Sequence, residues 1–245
     1  MRRPSFLKRV RLSWSTFVPS FYWGTHYLLR GVLWFVGRWT VSGRENLPRT
    51  GAVIVVSNHL SNADPPILAA GLAQRRVRYM AKHTLFRFPM GIIVRLYGAF
   101  PVRRFEADMA ALLNAERILR DGGVLGMFPE GTRSRTGTLG KPHPGTALIA
   151  IRSGALVLPC AITGTEQLSN PLNLLRKPRI TVQIGRPIAV EKRKRPTEQE
   201  VSELTEAIFR AIAAMLPPKY IADPRGYTGE EGIEQDAHGG NHPGL

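Results

Sequence analysis

The sequence predicts an α/β fold, with a largely parallel or mixed sheet that is flanked by helices. From residue 38 onward, short runs rich in β-branched residues alternate with longer stretches of helical periodicity, which is the pattern of strand–helix–strand units. The chain also has 245 residues, enough for one full-sized domain with short appendages.

Seven short runs of apolar and β-branched residues are predicted as strands, and five periodic stretches as helices. The most clearly delimited helix is Glu106–Arg120, because it has acids near its start, arginines in its last turn and Gly122 just beyond as a stop signal. The predicted strands are Trp39–Ser42, Ala52–Val56, Val77–Ala81, Ala99–Val102, Val124–Phe128, Leu156–Ile162 and Ile180–Ile184. The other predicted helices are Pro65–Ala73, Leu85–Leu96, Pro144–Arg152 and Glu198–Leu216.

The two ends of the chain differ from this α/β domain, which is predicted over residues 38–222. Residues 1–37 are predicted to form one or two amphipathic helices, split near Pro19, that lie in a membrane interface. Their most apolar stretch, residues 21–36, has only sixteen residues, whereas a transmembrane helix needs about 20. Residues 223–245 have almost no large apolar side chain and are predicted to be disordered.

The charge of the chain is unevenly distributed. It has 34 Lys and Arg against 18 Asp and Glu, and residues 1–105 hold seventeen of the basic residues but only two acids. A basic surface of this kind predicts an anionic partner, which can be a nucleic acid, a lipid surface or a phosphorylated substrate. The hydrophobic content of 43% excludes a disordered polyelectrolyte, and the single cysteine excludes an intrachain disulfide framework.

The segment Ser57–Pro66 is the first candidate site, because it directly follows an apolar strand. A strand delivers His59 to its carboxyl end, the usual site edge of an open α/β sheet, and Asp64 falls where the next helix begins. The loop between them can fold the carboxylate back onto the imidazole, which would leave the other ring nitrogen free as a general base. Asp64 before Pro65 also fits an ordinary helix N-cap, so the residues alone leave both roles open.

A second candidate site, the loop of residues 128–134, also follows a strand end. Gly131 and Thr132 would bring backbone N–H groups close to a ligand, and Arg133 is a bidentate donor suited to phosphate. A surface ion pair between Glu130 and Arg133 is the alternative interpretation.

A third loop, Gly98–Arg104, ends a strand with two guanidinium groups. Arg103 and Arg104 could face a ligand or form a solvated rim. Cys160 lies in a fourth apolar run and is interpreted as a small buried core residue rather than a nucleophile. The six histidines are scattered, so no metal site is predicted.

Together and in this order, these segments resemble the motif blocks of the glycerolipid acyltransferase family, whose best-known members are the 1-acyl-sn-glycerol-3-phosphate (lysophosphatidate) acyltransferases. The resemblance runs from about Val41 to Gly185, more than half the chain. A stretch beginning at Ala81 is also similar to one where family members carry a phosphate-contacting lysine, here Lys82. The matching blocks are His59–Asp64, Gly98–Arg104, Glu130–Arg133 and Leu158–Pro159.

The resemblance implies direct transfer of a fatty acyl group from an acyl thioester to the free hydroxyl of lysophosphatidate, making phosphatidate in phospholipid synthesis. His59 would be the general base and Asp64 would hold and charge its ring, with no covalent acyl-enzyme. The second block departs from the usual family pattern, so whether Arg103 or Arg104 faces the substrate stays open. The residues implied to bind the acceptor phosphate are Lys82, Arg103, Arg104, Glu130, Gly131, Thr132 and Arg133.

The resemblance also implies partners and a location. No bound cofactor is expected, since acyl-CoA or acyl carrier protein would be a substrate. The expected partners are the lysolipid, this thioester donor and a membrane lipid surface, not nucleic acid. The protein is expected at the cytoplasmic face of the cell membrane, as a peripheral or monotopic protein.

The sequence leaves some alternative functions open and disfavours others. The same loops could serve an acyltransferase that acts on another lysolipid or on glycerol-3-phosphate. A serine hydrolase is disfavoured because the chain has no Gly-x-Ser-x-Gly elbow, and dinucleotide-binding and P-loop motifs are also missing from the sequence. A basic nucleic-acid-binding protein is the alternative from a different class, and it predicts binding that weakens steeply with salt.

Overall fold

A computed structural model of the chain describes residues 6–36, 38–72, 74–103, 108–170, 173 and 176–221. In these ranges all seven predicted strands are confirmed, each to within one residue at either end. The strands are β1 (Arg38–Ser42), β2 (Val53–Ser57), β3 (Val77–Lys82), β4 (Phe100–Val102), β5 (Val124–Met127), β6 (Leu156–Thr163) and β7 (Arg179–Ile184). The α-helices are α1 (Phe6–Val36), α2 (Asp64–Leu72), α3 (Met90–Leu96), α4 (Met109–Arg120), α5 (Gly145–Ser153) and α6 (Glu198–Ala213).

The strands form one mixed sheet in the order β1-β7-β6-β2-β5-β3-β4. Strands β2 to β6 run parallel to one another, whereas β7 is antiparallel to β6. The edge strand β1 pairs with β7 and runs parallel to it. The carboxyl ends of β2, β5, β3 and β4 therefore lie side by side at one edge of the sheet. The predicted α/β class is confirmed. The candidate site loops that follow β2, β4 and β5 all leave the sheet at this edge.

Helices cover both faces of the sheet, because buried strands alternate their side chains between two cores. Val53 and Val55 of β2 pack into the core beneath α1 and α2, while Ile54 and Val56 pack into the core beneath α4, α5 and α6. The loop after β2 therefore starts from a strand that is fixed on both sides.

Three predicted helices are shorter in the structure. The predicted helix Leu85–Leu96 is observed as a 3-10 turn over His83–Phe86 and the helix α3, because Pro89 has no N–H to donate and disfavours helical geometry in the residue before it. The predicted helix Glu106–Arg120 is observed from Met109, where the carboxylate of Asp108 accepts the N–H of Ala111 at 3.0 Å as an N-cap, and Glu106 lies outside the described residues. The predicted helix Glu198–Leu216 ends at Ala213.

The amino-terminal helix is continuous over Phe6–Val36, so of the one or two helices predicted there is one, and the split near Pro19 is not observed. A proline inside a helix destabilises it, and tertiary packing of the second half of α1 offsets this cost. Tyr22 is buried there, and its hydroxyl accepts the N–H of Val77 at 3.2 Å. None of the helices in the described part of the chain has the length and hydropathy to cross a bilayer. The predicted tail, residues 223–245, lies outside the described residues.

Candidate active site

His59 and Asp64 meet at the carboxyl edge of the sheet. The Nδ1 atom of His59 lies 2.8 Å from Oδ2 of Asp64, and the same oxygen accepts the N–H groups of Leu60 at 2.6 Å and Ser61 at 2.7 Å. A carboxylate can only accept hydrogen bonds, so Nδ1 carries the ring proton and Nε2 is left as the basic nitrogen. Asp64 is the first residue of α2, but its bonded oxygen accepts N–H groups only from the loop before the helix, so the side chain orients the ring and the loop and the alternative N-cap role is not observed.

The pair is largely withdrawn from water. His59 is 7% exposed and Asp64 is fully buried. Low local dielectric strengthens the attraction between a carboxylate and a charged imidazole. Asp64 can therefore stabilise the imidazolium of His59 if the ring takes up a proton during a reaction.

An aromatic stack holds the plane of the imidazole. The ring of Phe128 lies 4.1 Å from that of His59 at an interplanar angle of 20°, and Tyr79 stacks with Phe128 at 6.1 Å and 14°. Tyr79 lies across Gly126 of β5, where any Cβ atom would overlap its ring. Phe128 is the first residue of the predicted loop 128–134 but had no predicted role, although its place at a strand end two residues before Glu130 is a signal for one.

Backbone bonds fix the loops that meet at His59. Asn58 uses both ends of its side-chain amide to pair with the backbone of Ile162 at 2.8 Å, which extends the contact of β2 with β6. The N–H of Ser134 donates to the carbonyl of His59 at 2.7 Å. The predicted loop 128–134 is thereby attached to the loop that carries the histidine.

Glu130 is buried and bonds to backbone groups, so it does not form the surface ion pair with Arg133 that was the alternative interpretation. Its two carboxylate oxygens accept backbone N–H groups, one from His59 at 2.9 Å and one from Gly140 at 2.9 Å, so neither of these bonds goes to Arg133. Burial raises the pKa of Glu130 to about 7, against the lowering effect of these two hydrogen bonds. Because it holds the backbone of His59, Glu130 is a positioning residue in this geometry.

The remaining predicted residues lie along the same edge of the sheet. Lys82 ends β3, and Arg103 follows β4, with both side chains exposed. Thr132 and Arg133 are exposed on the loop after β5, where Gly131 has a positive φ of 68°. Arg104 lies outside the described residues.

A groove of about 640 Å³ opens beside His59. It runs between the sheet and the helices α4 and α5, and Gly131, Arg103 and His59 contribute to its lining. A second cavity of about 880 Å³ shares Arg103 and Asp108 with it. The apolar side chains that line the groove include Met80, Val102, Leu112, Met127, Leu148 and Ile149.

The structure also bears on a cysteine nucleophile and on a metal site. Cys160 is a buried core residue, as predicted, and burial raises the pKa of its thiol well above the usual value, which disfavours the nucleophilic thiolate. Among the described residues, no group of three or more histidines, cysteines or acids is arranged to hold a metal ion.

We expect Glu130→Gln to lower kcat about tenfold or more and to change the KM for the phosphorylated substrate less than about threefold. The amide cannot accept both N–H bonds, so the backbone of His59 loses its support while the cationic groups stay in place. Steady-state kinetics of the purified variant checks this. A large rise in KM at unchanged kcat would instead mean that Glu130 contacts the substrate.

The described residues thus combine an α/β sheet with a buried His–Asp pair and cationic loops at one edge, and comparison with known proteins gives the family. The family model described as "Acyltransferase" matches residues 38–163, more than half of the chain. The chain therefore belongs to the acyltransferase family, as the motif blocks predicted. The predicted membership of an acyltransferase family is confirmed.

Relatives with curated names point in the same direction. A 1-acyl-sn-glycerol-3-phosphate acyltransferase of Borreliella burgdorferi is 34% identical over 138 residues, which cover 55% of this chain and 55% of that protein. One from Bacillus subtilis is 27% identical over 186 residues, covering 75% of this chain and 91% of that protein. The match thus spans about half of the first relative and nearly all of the second.

The fold also has a counterpart among solved structures. The 1-acyl-sn-glycerophosphate (LPA) acyltransferase of Thermotoga maritima superposes with a TM-score of 0.55 and 23% identity, over 84% of this chain and 94% of that one. At this identity the likeness shows a shared fold.

Proposed function

We propose that the protein transfers a fatty acyl group from an acyl thioester, acyl-CoA or acyl carrier protein, to the free hydroxyl of lysophosphatidate, making phosphatidate for phospholipid synthesis. The observation that carries this proposal is the 2.8 Å bond between His59 and Asp64 at the mouth of an apolar groove. The relatives' names support lysophosphatidate as the acceptor.

In the proposed reaction, Nε2 of His59 removes the proton from the acceptor hydroxyl as its oxygen attacks the thioester carbonyl carbon. The C–O bond forms, the C–S bond breaks, and the proton passes from the imidazolium to the departing thiolate. Asp64 stabilises the charged ring while it holds the proton, and Phe128 keeps the ring in plane. No covalent acyl-enzyme is needed.

The acceptor phosphate would bind to the cationic groups beside the groove. Lys82, Arg103 and Arg133 are exposed at the carboxyl ends of three neighbouring strands, where one phosphate can meet several donors. The apolar groove next to His59 would take the acyl chain and place its carbonyl carbon at the imidazole. The lipid nature of the acceptor puts the reaction at a membrane, which we propose to be the cytoplasmic face of the cell membrane.

We expect Arg133→Ala to raise the KM for lysophosphatidate at least about tenfold, with a smaller effect on kcat, because a charge-assisted contact to phosphate is lost. Arg135→Ala is the matched control, since Arg135 is an exposed arginine of the same loop. An unchanged KM in the Arg133 variant, or an equal rise in both variants, would remove Arg133 from the binding site.

The proposal is tested by incubating the purified protein with acyl-CoA or acyl carrier protein and a panel of acceptors, followed by mass spectrometry of the lipids. The panel contains lysophosphatidate, glycerol-3-phosphate and other lysophospholipids. Phosphatidate should be the main product. Preferred acylation of another acceptor would change the substrate assignment, and no acyl transfer to any acceptor would refute the proposed function.

A further inference from the structure

The connection between β3 and β4, residues 83–99, carries an apolar surface beside the candidate site. Single exposed apolar side chains are normal on a protein surface, but a cluster of them marks an interaction site. Five large apolar residues within this short connection are exposed: Leu85 (42%), Phe88 (85%), Met90 (52%), Ile92 (52%) and Ile93 (53%). We call these five residues the 85–93 surface.

Basic residues accompany this surface along the chain, and this part of the sequence has no acidic residue. Lys82, Arg87 and Arg95 are exposed around the five apolar residues. Between Asp64 and Glu106 the sequence contains neither Asp nor Glu. An apolar centre with basic neighbours matches an anionic lipid bilayer, which accepts apolar side chains at its interface and attracts lysine and arginine.

The 85–93 surface is also well placed to serve the site. Its connection starts where β3 ends, at the sheet edge that carries His59, and α3 lies against α1. The second half of α1 exposes further aromatic residues, with Trp34 at 81% and Phe35 at 77%. Two neighbouring elements therefore expose apolar side chains, and aromatic rings favour the membrane interface.

We propose that the 85–93 surface inserts into an anionic bilayer as a second membrane contact, separate from the amino-terminal helix, and seats the active-site edge on the membrane. The inference rests on the proposed function, in which the acceptor is a lipid. A second copy of the chain is a poorer occupant, because a symmetric contact would bring Arg87 and Arg95 of one copy against those of the other.

The test is flotation of the full chain with phosphatidylglycerol–phosphatidylcholine vesicles. The variant Phe88→Ser/Ile92→Ser/Ile93→Ser should bind these vesicles at least about tenfold more weakly than the wild type. Its melting temperature should not change, because the replaced side chains are exposed. Leu113→Ser is the matched control, since Leu113 is equally exposed (52%) on α4, on the opposite face of the sheet, and should bind vesicles like the wild type.

Several outcomes would overturn the inference: no vesicle binding by the wild type, equal binding by the triple variant, or an equal loss in the Leu113 control. A dimer that the triple variant abolishes without weaker vesicle binding would identify a second copy as the occupant instead. Turnover of a water-soluble short-chain lysophosphatidate separates this inference from the proposed function. Weaker vesicle binding with no turnover by either protein would support the surface while refuting the proposed function.

Discussion

The His59→Ala variant is expected to lose at least about 100-fold in kcat while its KM for lysophosphatidate changes little. A positioned general base contributes about 10² to 10⁴-fold to a rate, and alanine removes the only ring that the Asp64 carboxylate orients in this way. The cationic residues that would bind the acceptor phosphate stay in place. Steady-state kinetics of thiol release, with the product confirmed as phosphatidate, measures both constants.

His83→Ala is the control for this variant, because His83 is an exposed histidine next to the same sheet edge. It should keep the wild-type kcat. A loss of less than about tenfold in the His59 variant would contradict the assigned role of the imidazole, since base catalysis is expected to contribute more than that.

The Asp64→Asn variant is expected to lose about 10² to 10³-fold in kcat and to stay folded. The amide oxygen can still accept the N–H groups of Leu60 and Ser61, so the loop keeps its shape. A neutral amide does not stabilise an imidazolium as a carboxylate does, so the rate falls although the geometry is kept. Kinetics and a thermal melt on the same preparation separate the two effects.

A purely structural role predicts a different result for Asp64. Thr197 caps α6 through its side chain far along the chain, and Thr197→Ala should cost about 1 kcal/mol of stability with no loss of kcat. If Asp64→Asn behaved like this control, with a small change in stability and wild-type turnover, the carboxylate would only hold the loop that precedes α2.

Most of the fold could be predicted from the sequence, because the strands are short runs of apolar and β-branched residues bounded by turn residues. β2 has four successive apolar residues, Val53–Val56, and is buried along its whole length, which is the pattern of a central parallel strand. The pairing of His59 with Asp64 was predictable for a local reason. Only four residues lie between them in one loop, so no long-range contact had to be known.

The features that the sequence does not reveal depend on contacts between distant segments. The carboxylate of Glu130 accepts the N–H of a residue on another strand's loop, and its neighbour Arg133 looked like the simpler partner in the sequence. The stack of Tyr79, Phe128 and His59 needs three strands in register and Gly126 beneath the tyrosine. Continuity of α1 through Pro19 depends on tertiary packing of Tyr22, which local helix signals do not contain.

In the proposed reaction the acyl group passes directly from the thioester to a hydroxyl that His59 deprotonates. The decisive experiment is rapid quenching of the wild-type protein mixed with labelled acyl-CoA, with and without lysophosphatidate. Thiol release should require lysophosphatidate, and all of the label that leaves the thioester should appear in phosphatidate. Label bound to the protein, or free fatty acid released at the same rate without an acceptor, would contradict the claim.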